Sequence, residues 1–253
     1  MLRLPTSAPG ASSPQLREYL RRAVNYDHMD LEYTFWQMFY LCTGPSRVYN
    51  TTKLHKQTKN QWARDDPAFV VVLLGMVTVA TLAYSVAFRV STAGQIVRLL
   101  LSAMVVDFVG LGVVTATLGW AVANKWLRVA PRAHNIEQAV EWLYCFDVHC
   151  NSYFPLFLVL YPLQFFLVPL LLKPVFLATL LANSIYCGAY CYYWYITFLG
   201  YQVLPFLDTP KTVVFLYPCV VVLASYILLL VTRNNLTIVI LTQYFGTEDP
   251  TMA

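Results

Sequence analysis

Five long apolar segments, Ala68–Phe88, Leu99–Ala123, Tyr153–Leu172, Val175–Phe198 and Val213–Thr232, follow a polar, basic stretch of 67 residues. Each is close to the roughly 20 residues that an α-helix needs to cross about 30 Å of hydrocarbon. Lipid offers no partner for backbone N–H and C=O groups, so apolar segments of this length are read as helices. The expected fold class is an all-α integral membrane protein with five transmembrane helices. A mean hydropathy of +0.54 agrees, as does a charged fraction of only 12%. Soluble domains carry about twice that charge.

The chain divides into a disordered leader over residues 1–13, a cytosolic N-terminal region over 14–67, a transmembrane domain over 68–232 and a short lumenal tail over 233–253. Met1–Ser13 lacks the apolar core of a cleavable signal, so the first span is expected to act as the targeting signal. Lys and Arg favour the cytosolic side. Thirteen of them fall in the N-terminal region and in the loops after spans two and four, against four (Arg89, Arg98, Lys173 and Arg233) on the other side. The N-terminus is therefore expected in the cytosol and the C-terminus in a lumen. The apolar run Leu236–Leu241 in the tail is too short for a sixth span.

Short amphipathic helices are expected outside the spans. Ser13-Pro14 reads as a cap and first helical position, followed by Leu16, Tyr19, Leu20 and Ala23 at helical spacing. Such a basic helix either lies on anionic membrane lipids or packs on the rest of the head. A second helix is expected from Asp30 as cap to Cys42, broken at Thr43-Gly44-Pro45-Ser46. Its apolar character on nearly every face places it in the interface or against the bundle. A third is expected around Ile136, Val140, Leu143 and Tyr144.

Within the spans, Asp107 is the one deeply placed acid. A carboxylate there must face protein or water, or stay protonated. It lies on a stripe with Ala103, Gly110, Val114, Thr117 and Ala121, beside a second stripe of Gly112, Ala116, Gly119 and Ala123. Both stripes suit close helix approach. A carboxyl hydrogen-bonded to a neighbouring helix is favoured over an ion relay, because no second intramembrane charge is present to relay to. Pro155, Pro162 and Pro169 are expected to bend span three. Tyr186, Tyr190, Tyr192, Tyr193, Trp194, Tyr195 and Phe198 read as an aromatic belt at the cytosolic end of span four.

Asp147 and His149, near Cys145, Cys150 and His134, form a polar pair expected at the cytosolic mouth of span three. One Asp-x-His motif without a partner motif does not make a zinc site, so a structural role is expected, such as His149 bonded to a carboxylate. No P-loop, nucleophile elbow, HExxH or dinucleotide-binding glycine pattern appears. The expectation is no enzyme, no catalytic residue and no cofactor. Cys42, Cys145 and Cys150 sit in expected cytosolic parts where palmitoylation is chemically open, but buried free thiols are the simpler reading. The six acids of the N-terminal region offset most of its nine basic residues. The small excess is explained by anionic lipid better than by RNA.

Several stretches are distinctive: Lys56 to Phe69 (KQTKNQWARDDPAF), Trp36-Gln37-Met38 with Tyr40-Leu41, Phe146-Asp147-Val148-His149, and Thr197 to Tyr201 followed by Leu204-Pro205-Phe206-Leu207. In this order, over roughly Met29 to Val231, they resemble the uncoordinated-fifty family of eukaryotic Golgi multi-pass proteins. The resemblance implies a five-span Golgi protein with a cytosolic N-terminus. It also implies a part in trafficking membrane cargo such as ligand-gated receptors, and association with Arf guanine-nucleotide exchange factors. An RNA-binding, inner-nuclear-membrane role is attached to animal members as well. No catalytic residue comes with it.

Lys56, Lys59, Trp62, Arg64, Asp65 and Asp66 then read as a partner or membrane-surface contact, with Trp62 anchored at the headgroups. A plain helix-entry cap accounts equally for Asp65, Asp66 and Pro67. The alternative from another class is a small transporter or lipid-handling protein using Asp107 and the aromatic end of span four.

Overall fold

The computed structural model describes residues 29–59, 62–64, 66–129 and 138–246. The leader, the expected helix at Ser13–Ala23, Asp65, His134, Ile136 and the end of the tail lie outside the described residues. Every regular element among those described is a helix. We number them α1 (Leu31–Thr43), α2 (Pro45–Lys59), α3 (Ala68–Ala87), α4 (Ala93–Leu127), α5 (Trp142–Leu171), α6 (Phe176–Gln202), α7 (Thr209–Val231) and α8 (Leu236–Phe245).

Four of these, α3, α4, α5 and α7, are long and apolar enough to cross a membrane. The fifth expected span corresponds to α6, which has 27 residues. Its length suffices, but its many tyrosines with Asn183 and Gln202 make it less apolar than the other four. It runs back along α5 from the turn at Lys173–Pro174. At its far end, the Tyr144 hydroxyl donates to the Gly200 carbonyl at 2.6 Å.

The sequence expectation that span three opens at Tyr153 is corrected by the structure, where α5 starts at Trp142. The polar residues Asp147, His149, Asn151 and Ser152 depress the hydropathy of this segment, yet all four are buried against neighbouring helices. Of the separate helix expected around Ile136, Val140, Leu143 and Tyr144, Ile136 lies outside the described residues and the others do not form a helix of their own. Residues 138–141 are non-helical, while Leu143 and Tyr144 lie in the first turn of α5.

Asp30 caps α1 as expected, its Oδ1 accepting from the Tyr33 N–H at 2.9 Å. Gly44 ends α1, but Pro45 opens α2 at once, because proline suits the first helical position. α1 is buried on one side through Thr34, Gln37, Met38 and Leu41, while Phe35 and Phe39 remain exposed on the other.

α4 and α5 carry π-helical segments, Ser102–Gly110 with Ala123–Leu127 and Val159–Leu163 respectively. Val159–Leu163 contains Pro162, whose missing N–H disturbs the regular ladder. α5 nevertheless runs as one helix through Pro155, Pro162 and Pro169.

Of the two small-residue stripes on α4, the second packs along its whole length and the first only at its start, where Ala103 is buried. Gly112, Ala116, Gly119 and Ala123 are buried, whereas Val114, Thr117 and Ala121 of the first stripe are exposed. The α6 aromatics divide between two faces: Tyr190 and Tyr195 are exposed, as a belt requires, and Tyr192, Trp194 and Phe198 are half-buried. Tyr186 and Tyr193 point into the bundle with 6% and 3% exposure.

α8 was not expected as an element of the bundle. Asn235 caps it, its Oδ1 accepting from the Thr237 and Ile238 N–H groups, while its Nδ2 donates to the Leu171 carbonyl at 2.7 Å. Asn183 of α6 braces the same turn, donating to the Asn234 carbonyl and accepting from the Leu236 N–H. Gly246 closes the helix at φ 67, a left-handed position suited to glycine.

This bracing bears on a topology test. Asn235-Leu236-Thr237 is a glycosylation sequon, but Asn235 is 6% and Thr237 0% exposed. Asn235 is therefore expected to stay bare whichever side it occupies, and Asn235→Gln is expected to leave the gel mobility of the protein unchanged. Asn50 of the sequon Asn50-Thr51-Thr52 is exposed on α2, so it reports sidedness. Bare Asn50 in endoglycosidase mapping agrees with a cytosolic head, and sugar there would reverse the orientation.

Candidate functional site

Between α2 and α3, residues 62–64 are strapped across the start of α5. The Glu141 carboxylate accepts from the backbone N–H groups of Trp62 and Ala63, at 3.5 and 3.2 Å, and the Asp147 carboxylate accepts from that of Arg64. Trp62 is 6% exposed. Its ring meets Tyr144 and Phe206 edge-on, with centroids 6.3 and 6.0 Å apart. The headgroup anchor expected of Trp62 is thus corrected: the indole is an inward wedge, because aromatic partners on α5 and the α6–α7 connection close over it.

The Arg64 side chain also turns inward. Its Nη2 donates to Asn151 Oδ1 at 2.6 Å, and its guanidinium lies 4.3 Å from the centroid of the Phe69 ring. Such cation–π contacts gain strength where water is excluded. Asn151 Oδ1 simultaneously accepts from Gln37 Nε2 at 3.1 Å, which ties α1 to the same point. Tyr49 of α2 is buried nearby. Burial pushes its phenol well above the ordinary range, opposed by the Asn151 side chain.

Asp66 joins two helix starts. Its Oδ2 accepts from the Asp30 N–H at 2.8 Å, and its Oδ1 from the Ala68 N–H at 2.9 Å. Both bonds use donors that a helix N-terminus leaves unpaired. Of the six residues read as a surface contact, Trp62, Arg64 and Asp66 therefore hold the head on the bundle. Lys56 and Lys59 lie in the last turns of α2, and their side chains lie outside the described residues.

Asp147 and His149 are not a pair. Two positions apart on α5, they point to different neighbours. Asp147 serves the strap, whereas His149 reaches α4 and α6. Its Nε2 lies 3.1 Å from the Phe108 carbonyl, and its Nδ1 2.8 Å from the Tyr193 hydroxyl. A carbonyl can only accept, so Nε2 carries hydrogen and Nδ1 meets the phenol. The carboxylate partner expected for His149 is replaced by these two groups. Among the described residues no three His, Cys, Asp or Glu side chains converge as metal ligands. Cys145 and Cys150 are buried and Cys42 is exposed.

Asp107 lies in the first π segment of α4. Its Oδ2 accepts from Tyr244 of α8 at 2.7 Å and from Tyr161 of α5 at 3.4 Å. The expectation of a carboxyl bonded to a neighbouring helix thus gains its donors, one of them from the tail. Sequence reasoning overlooked Gln164 and Asn183, which sit alone within apolar runs. That isolation was the available signal, because polar groups in hydrocarbon need specific partners. Gln164 Nε2 donates to the Tyr186 hydroxyl at 2.9 Å and to Thr237 Oγ1 at 3.1 Å.

Comparison with known proteins places these features in a family. A protein-family profile described as UNC-50 family matches residues 19–245. The chain is 52% identical over 229 residues to "Protein unc-50 homolog" of Dictyostelium discoideum, covering 90% of this chain and 87% of that protein. Against the protein of the same name from Homo sapiens it is 41% identical over 221 residues, covering 87% and 83%. Against "Protein unc-50" of Caenorhabditis elegans it is 40% identical over 237 residues, covering 93% and 76%. No solved structure matches. The matched region runs from before α1 to the end of α8, so the strap, the buried polar cluster and the Asp107 contacts all fall within it: the chain belongs to the UNC-50 family.

Proposed function

We propose that this chain is a non-enzymatic Golgi membrane protein of vesicular trafficking. In this reading it presents a cytosolic face to an Arf guanine-nucleotide exchange factor and supports maturation or surface delivery of membrane cargo such as ligand-gated receptors. Membership of the UNC-50 family carries the reading. The proposed topology has five crossings, with α6 as the crossing beyond the four apolar ones, the N-terminus cytosolic and the C-terminus lumenal. The excess of Lys and Arg at the end of the bundle holding α1, α2 and the strap supports that orientation.

The partner contact is assigned to α2 with Lys56 and Lys59, together with Asp65 and the exposed Phe35 and Phe39 of α1. Trp62, Arg64 and Asp66 hold this head in place. RNA has no part in the proposal.

The test is affinity capture of the full-length protein from gently solubilised Golgi membranes, with partners identified by mass spectrometry. Wild type is expected to recover an Arf exchange factor, and Lys56→Glu/Lys59→Glu to lose it while the protein keeps its abundance and its Golgi residence. Recovery of no exchange factor with wild type would sink the adaptor reading. Equal recovery with both would move the contact off α2.

A further inference from the structure

A pocket of about 690 Å³, partly open to the outside, lies between α3, α4, α5, α6 and α8. That volume falls within the roughly 300–1,000 Å³ typical of small-molecule sites. The walls are mainly apolar, and Tyr244 of α8 forms part of them. Val106 and Val114 on the rim are exposed on the outside of α4. At that depth of a 35-residue apolar helix, the outside of the bundle is lipid.

Two polar side chains there each have an end without a partner among the described residues. Asp107 lines the cavity and makes both of its hydrogen bonds through Oδ2, leaving Oδ1 without one among the described residues. Gln164 also lines it and is 2% exposed, and its Oε1 is buried with no hydrogen-bond partner among the described residues. Turned over, the amide would accept from the same two hydroxyls and leave an N–H unmatched instead, so one end of Gln164 lacks a partner in either orientation. A buried polar group without a partner, as Gln164 is at one end, costs about 1–3 kcal/mol. The occupant that removes this cost and also meets Asp107 Oδ1 brings a polar head that donates and an apolar body.

We propose that this cavity binds a membrane lipid whose head is a hydrogen-bond donor, a hydroxyl or an ammonium, with Asp107 and Gln164 receiving the head and the apolar walls of α4 and α5 receiving the body. Sterols and single-chain amino alcohols share that chemistry, and their heads distinguish them. An ammonium would pair with an ionised Asp107, and a hydroxyl suits Gln164 in either orientation of its amide.

The purified full-length protein would be photolabelled in detergent with alkynyl, photoactivatable sphingosine, the matching sterol, and a methyl ester of the same chain length whose head accepts but cannot donate. At least one donor probe is expected to label saturably and roughly tenfold more than the ester, the factor that one good hydrogen bond provides. Labelling is expected to fall by a similar factor in Gln164→Leu. It should also fall in Val114→Trp, which fills the mouth from an exposed position and leaves every polar group in place. Whichever donor probe labels identifies the head. Equal labelling by the ester, no labelling by either donor probe, or full labelling of a folded Val114→Trp protein would each overturn the proposal.

Discussion

Gly119→Ala is expected to destabilise the protein by about 3 kcal/mol, the upper end of what overpacking usually costs. A Cβ built on Gly119 would lie 2.1 Å from the Tyr201 hydroxyl oxygen and 2.9 Å from Tyr201 Cζ. The phenol cannot swing aside. Its ring is 2% exposed and stacked on Phe215 with centroids 3.9 Å apart. The backbones of α4 and α6 would have to separate, opening the close contact that small residues allow in membrane bundles. Gly112→Ala meets His149 and Phe146 at 2.6–2.8 Å and is expected to behave alike. Gly75 and Gly188 have nothing within 4 Å of a built Cβ, so alanine there should be neutral or stabilise by up to about 1 kcal/mol through helix propensity. Thermal unfolding in detergent separates the cases. A drop of roughly 5–10 °C is expected for Gly119→Ala, and none for Gly188→Ala. Equal midpoints for those two would mean that α4 and α6 are not held this closely.

The second large effect is expected at Asn151. Its Oδ1 is the acceptor shared by Gln37 of α1 and Arg64 of the strap, and the residue is 6% exposed. Asn151→Leu keeps the volume and removes the acceptor. Two donors are then stranded in a buried place, and one of them is a cation, so the loss is on the order of 3–5 kcal/mol. The change should act first on the head. Hydrogen exchange is expected to rise across Leu31–Thr43, which loses its side-chain tie to α5, before it rises in α3 or α7. Gln37→Leu/Asn151→Leu removes both ends of one bond and is expected to cost less than the two single changes added together. Strict additivity would show that the Gln37–Asn151 bond contributes nothing to docking α1.

These effects lie at points that the sequence only partly marks. The Asp30 cap, the end of α1 at Gly44 and the start of α3 after Pro67 are legible because they depend on local chemistry: a side-chain acceptor at an unpaired N–H, a residue without Cβ, a ring that fixes φ. The start of α5 is not legible. Hydropathy counts Asp147, His149, Asn151 and Ser152 as water-seeking, whereas in the bundle their partners are protein groups far away in sequence. The same limit hid the role of Trp62. An indole beside lysines reads as an interfacial anchor, and only the positions of Tyr144 and Phe206 turn it inward. It also hid α8, whose ten residues are too few to cross a bilayer but enough to fold back and bring Tyr244 to Asp107.

By itself the sequence determined the class of the protein. Apolar segments of membrane length require helices, because hydrocarbon cannot satisfy a backbone. The bias of Lys and Arg set the expected orientation, and the motif blocks pointed to the family. Tertiary structure alone decided which stripe of α4 packs along its whole length, which ends of the polar side chains meet, and where a pocket lined by Asp107 and Gln164 is left. Those outcomes depend on contacts between residues such as Gln37 and Asn151, or Asp107 and Tyr244. Their pairing is fixed by how the helices pack against one another, not by any local pattern along the chain.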